Sequence, residues 1–188
     1  MRFSLNEAIE KKYFNEDFVA DNIDVVPMQV EQPVVVVNEN PLLSVATAVM
    51  DSYQSANKWL DIIKEAIYHD MGCVFFSSFV HELAHTMPGR FDKFGDILHT
   101  INMKIPYPAT AYIPQEPTDI NGAFIGVFMC LDNIKNNLNQ FIKATDEQYH
   151  GMACAAEELL NDIEGEYPML FRLQQEWINC NGDMATFD

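Results

Sequence analysis

Beyond residue 40 the apolar positions fall into four long stripes with helical spacing. Alternating steps of four and three connect Leu42, Ala46, Val49, Tyr53, Ala56, Leu60, Ile63 and Ile67. This is one face of an amphipathic helix, opened by Pro41 behind an Asn40 cap and ended by Gly72. A second stripe runs through Phe76, Val80, Leu83, Met87, Arg90, Phe94, Ile97 and Ile101. Pro88-Gly89 is expected to kink or interrupt it, because proline removes a backbone donor and crowds the preceding turn. The third stripe holds Ile120, Phe124, Val127, Leu131, Ile134, Leu138 and Phe141. Thr145-Asp146-Glu147-Gln148 then reads as a capping box for a fourth helix carrying Tyr149, Ala153, Ala156, Leu160, Ile163, Tyr167 and Leu170. Pro168 is expected to kink or end that helix.

The segments between and before the stripes have a different character. Lys104 to Pro117 contains Pro106, Pro108, Pro114 and Pro117, so it is not helix, and it is long enough to cross the length of a bundle. Residues 1–40 stand apart from 41–188. Leu5 to Ala20 suits a short acidic helix, and Asp21 to Asn40 reads as extended. Its Val34–Val37 run, flanked by Pro33 and Pro41, fits an edge strand or an arm docked on a neighbouring subunit; a simple tail fits equally. The expected class is all-α, with an N-terminal extended arm.

Composition narrows the setting. With 188 residues and 48% hydrophobic residues, the chain can bury one core and is too apolar for disorder. Asp plus Glu total 28 against 11 Lys plus Arg, a net charge of −17. So acidic a chain is repelled by DNA and by anionic membrane, which argues against a nucleic-acid partner. No apolar run approaches a membrane span, and Met1–Glu7 reads as no signal peptide. Cys73, Cys130, Cys154 and Cys180 lie far apart with no Cys-x-x-Cys pair, so reduced thiols in a cytoplasmic or otherwise intracellular protein are expected.

Four long helices with one long crossover between the second and third carry a resemblance. Phe91-Asp92-Lys93-Phe94 looks like the end of a ferritin second helix, and Asp162-Ile163-Glu164-Gly165-Glu166 like the Asp-Glu-Glu-Gly-His stretch of a bacterioferritin fourth helix. The layout of about residues 41–178 is similar to the ferritin-like superfamily of ferritins, bacterioferritins and Dps-type cages. That resemblance implies an up-down-down-up four-helix bundle, a homo-oligomer, and two irons held between the helices by carboxylates and Glu-x-x-His turns. Residue by residue, it places the internal site at Gln54, Met87, Arg90, Cys130, Ile163 and Glu166. Only Glu166 is a carboxylate, so the site is degenerate and no di-iron centre can be built from it. Arg90 on an apolar stripe is costly unless paired, and Glu166 is its natural partner; a kink at Pro88 that swings Arg90 to the surface is the alternative.

A second constellation lies on the opposite side of the second helix. His81, His85, Asp92, Asp96 and His99 fall within one narrow sector if the helix continues through Pro88, with Glu82 in a Glu82-x-x-His85 match beside them. Three imidazoles and carboxylates facing away from the core suit iron, zinc or manganese at a subunit interface. The resemblance adds that Dps-type proteins build a ferroxidase site between subunits, although with a different spacing. A solvated face gives the same pattern. Glu147-x-x-His150 is a further match, but its Glu is expected at a helix start for capping and dipole reasons alone. Two functions therefore stand: an oligomeric ferritin-like or Dps-like protein that binds and oxidises or stores iron, or a metal-free structural and assembly subunit that needs no cofactor.

Overall fold

The computed structural model describes residues 41–107 and 115–187; the expected N-terminal helix, edge strand and arm lie outside them. Every regular element among the described residues is helical, in agreement with the all-α expectation. They are α1 (Pro41–Glu65), a π-helical turn (Ala66–Asp70), α2 (Val74–His99), α3 (Ile120–Thr145), α4 (His150–Glu164), α5 (Tyr167–Asn179) and α6 (Met184–Phe187). None of these helices is long and apolar enough to cross a membrane.

The turn after α1 closes on Gly72, whose φ of 73° is left-handed and therefore favours glycine. There the Cys73 amide donates to the Ile67 carbonyl at 3.1 Å, which satisfies one of the orphan carbonyls at the helix end. α3 begins at an Asp119 cap, whose side chain accepts from the Gly122 amide at 2.7 Å. The proline-bearing stretch around it is not helical at residues 104–107 and 115–117, as its composition requires.

Three local expectations need correction. Pro88 does not interrupt α2, which runs unbroken from Val74 to His99. Pro88 and Gly89 are both exposed, so the proline ring faces solvent rather than the core. The Thr145 capping box does not form, because α3 extends to include Thr145. Its hydroxyl is buried and donates back to the Phe141 carbonyl at 2.9 Å, and Tyr149 takes the cap position of α4 with no side-chain bond. The fourth helical run does break beside Pro168, but its position shifts: the break comes at Gly165–Glu166, and Pro168 sits in the first turn of α5, where a lost donor costs nothing.

The helices share one apolar core. α1 packs on α2 and α3, and α4 packs on α2 and α3. The directions follow from paired residues. Asn137 donates to the Ala48 carbonyl, while Ile63 fills the space over Gly126, so α1 and α3 are antiparallel. Arg90 meets Glu166 and Lys93 meets Asp162, so α2 and α4 are antiparallel as well. Aromatic rings centre the packing, with Phe76 stacked on Phe124 at 4.1 Å and Phe94 edge-on to Phe141 at 4.8 Å. The predicted stripes are the buried faces, except that Ile101, Tyr149 and Tyr167 are half-buried and Leu159 rather than Leu160 is fully inside α4.

Phe124 is wholly buried and touches two other aromatic rings. Phe124→Ala should therefore cost about 3–5 kcal/mol in urea denaturation. A loss below about 1 kcal/mol would mean that the ring is not packed as described.

Candidate functional site

The interior of the helical unit contains one charged side chain on an otherwise apolar stripe. Arg90 lies between Met87 and Phe94, both fully buried, and is itself only 8% exposed. Its guanidinium cannot lose its proton, so burial demands a carboxylate. Arg90 Nη2 donates to Glu166 Oε1 at 2.5 Å, and also to the Asp162 carbonyl at 3.4 Å. The alternative that swings Arg90 to the surface does not hold: α2 continues through Pro88 and Arg90 is buried. The α4–α5 break puts Glu166 at the cap position of α5, so the loose end of one helix supplies the counter-charge for another.

Of the six residues that the resemblance assigns to an internal site, Met87, Cys130 and Ile163 are buried, Gln54 is half-buried, and Glu166 is the one carboxylate. Burial pushes the Cys130 thiol well above the ordinary thiol range, so it is neutral in this structure. Sequence reasoning missed the role of Tyr53. It is 1% exposed and its hydroxyl has no protein partner. Burial drives its phenol far above the usual tyrosine range; Arg90 works against that shift and Asp162 adds to it. The signal was available, since Tyr53 is the sole hydroxyl-bearing position of the α1 stripe. Arg90 Nη1 is likewise buried without a partner.

The outward stripe on α2 behaves differently. His81 is half-buried, and Glu82, His85, Asp92, Asp96 and His99 are exposed. The unbroken helix does bring them onto one face, but as two separate pairs. The His81 and His85 rings meet edge to face at 4.3 Å, and His99 lies 3.9 Å from Asp96. His85 and Asp96 are separated by eleven residues, or about 16 Å of helix, far beyond the reach of one ion. Among the described residues, no group of three or more His, Cys, Asp or Glu side chains is gathered to hold a metal ion. Each pair could supply two ligands at most, and a metal there would need the rest from outside this chain.

Cys73, Cys130, Cys154 and Cys180 form no disulfide with one another. Comparison of the chain with protein-family models, with curated proteins and with solved structures finds no match. The reading of the site therefore rests on its own geometry.

Two predictions follow the internal pair. Removing one partner strands the other, so Arg90→Ala should destabilise by about 2–3 kcal/mol, near the lower end for a buried pair because Glu166 keeps some solvent contact. The double change Arg90→Met with Glu166→Leu should recover most of that loss in the same denaturation experiment; a double variant no more stable than Arg90→Ala would show that the pair is not what holds the region. Tyr53→Phe removes a buried hydroxyl that has no partner and should stabilise by about 1 kcal/mol. Because the folded-state phenol titrates above its unfolded value, the wild type should also lose stability as pH rises past about 10, and Tyr53→Phe should flatten that decline. An unchanged alkaline slope in the variant would contradict the assignment.

Proposed function

We propose that residues 41–188 form a ferritin-like, up-down-down-up four-helix bundle that works without metal, as a structural or assembly subunit of a homo-oligomer. One observation carries this reading. Of the residues to which the resemblance assigns the irons, Arg90 and Glu166 neutralise each other, and Met87, Cys130 and Ile163 are buried without charge. A fixed guanidinium supplies the positive charge that a metal would otherwise provide, and its repulsion opposes a cation in the same space.

The helix pairings support the topology. α1 lies antiparallel to α3, α2 antiparallel to α4, and short turns join α1 to α2 and α3 to α4. α2 and α3 then run the same way, which is the arrangement that the long crossover implied by the resemblance would serve over a 26-residue helix. That helix is about 39 Å long, and twenty extended residues reach about 66 Å, so the crossover is feasible. An assembly role is also supported by exposed Ile125 and Met129, one turn apart on the outer side of α3.

A second reading is favoured by the α2 stripe. His81 with His85, and Asp96 with His99, are paired on an outward face, as half-sites completed by another subunit would be. In that case the protein is Dps-like and oxidises or stores iron at its interfaces.

Size-exclusion chromatography followed by elemental mass spectrometry, on protein produced with added iron, separates the two. The metal-free reading predicts an oligomer with far less than one iron per chain, unchanged by His85→Ala with Asp96→Ala. Near-stoichiometric iron that disappears in that double variant, with the helical content retained, would overturn it in favour of the interface site.

A further inference from the structure

Asp146, His150 and Cys154 are spaced by four residues each across the end of α3 and the start of α4, and their side chains are connected in a row. His150 Nδ1 lies 3.3 Å from Asp146 Oδ1, and its other ring nitrogen, Nε2, lies 3.7 Å from Cys154 Sγ. A carboxylate accepts only, so it fixes the proton on Nδ1 and leaves the Nε2 lone pair facing the thiol. Helical side chains lean toward the N-terminus, which is why Cys154 reaches back over His150 rather than forward. One metal ion cannot use all three groups, because the imidazole spends opposite nitrogens on its two neighbours.

We infer that Cys154 is a base-assisted nucleophilic thiol, with His150 as the base and Asp146 as the positioning residue, and that it takes small organic disulfides by thiol–disulfide exchange. His150 Nε2 accepts the thiol proton, and Cys154 Sγ attacks one sulfur of the disulfide. The S–S bond of the reagent breaks as the new S–S bond to Cys154 forms. The departing thiolate recovers the proton from His150, so Cys154 is oxidised by the same two electrons that reduce the disulfide.

The surroundings fit a small apolar reagent. Cys154 is exposed, and a side chain placed at Gly151, one turn before it, would meet nothing within 4 Å. His150, one turn before Cys154, lines a cavity of about 490 Å³ with Ile97, Thr100, Tyr149 and Met152; Cys154 itself is not part of that wall. That wall is mostly apolar, so an uncharged aromatic disulfide suits it, and the strongly acidic chain disfavours an anionic one. Cys73 and Cys130 are buried, which leaves half-buried Cys180 as the internal comparison.

The test uses the full chain and the neutral reagent 4,4′-dithiodipyridine, following release of the thiopyridone and locating the mixed disulfide by peptide mass spectrometry. One fast-reacting thiol is expected, absent in Cys154→Ser and unchanged in Cys180→Ser. His150→Gln should slow it by about tenfold, less than the ~100-fold usual for a shielded catalytic base because this site is open to water. Added imidazole should restore part of the rate in His150→Gln and none in Cys154→Ser, which a purely structural role for His150 would not produce. Asp146→Asn should slow the reaction less than His150→Gln. The inference is overturned if His150→Gln reacts as fast as wild type, if imidazole has no effect on it, or if the label appears on Cys180. None of these outcomes depends on whether the bundle binds metal.

Discussion

A guanidinium inside an apolar helical core cannot discharge itself, and this single constraint organises the centre of the molecule. Arg90 must keep its charge, so a carboxylate has to be brought to it. The chain does this by breaking the fourth helical run at Gly165 and setting Glu166 at the head of α5. The break is inexpensive because Pro168 falls in the first turn of the new helix, where its missing donor is not needed. Continuity of α2 through Pro88 is the other half of the arrangement, since a kink there would carry Arg90 out of register with Glu166.

The same constraint explains why the pair is unlike a metal site. Iron needs several anionic or imidazole donors converging on one point. Here Arg90 and Glu166 form one ion pair, Met87 and Ile163 are buried and apolar, and Cys130 is buried and neutral. Tyr53 adds a hydroxyl without adding charge. Both its oxygen and Arg90 Nη1 lack protein partners, so the region pays some stability for its polarity, and the apolar rings of Phe94 and Phe141 on the same core offset it.

Much of the fold was legible in the sequence, for an identifiable reason. Long stripes with a 3.6-residue period are a strong signal, and the residues on them, from Leu42 to Phe141, are the ones that pack. What failed was local. Pro88 was read as a kink or a break because intrinsic propensity assigns it a large cost, but no break occurs, and two long flanking helical faces packed on α1 and α4 hold the backbone through it. Thr145 matched a capping pattern, yet one more turn of α3 absorbed it. In the interior, the partnership of Arg90 with Glu166 could be read from an isolated charge on an apolar stripe, whereas Tyr53 gave a weaker signal, a lone hydroxyl on the α1 stripe, because its ring belongs there and only its oxygen is anomalous. On the surface, the α2 residues do share a face as their spacing implied, but spacing by angle says nothing of distance along the axis, and the two halves lie too far apart to act together.

The most direct test of this account is nitrogen-detected NMR of the arginine side chains. Arg172 is exposed and serves as the internal reference, although it too has a carboxylate one turn away. If Arg90 is clamped by Glu166 in the core, its guanidinium should show resolved terminal nitrogens, restricted rotation and slow proton exchange, all lost in Glu166→Gln. An Arg90 signal that averages and exchanges as fast as that of Arg172, and does not change in Glu166→Gln, would contradict the account at its centre.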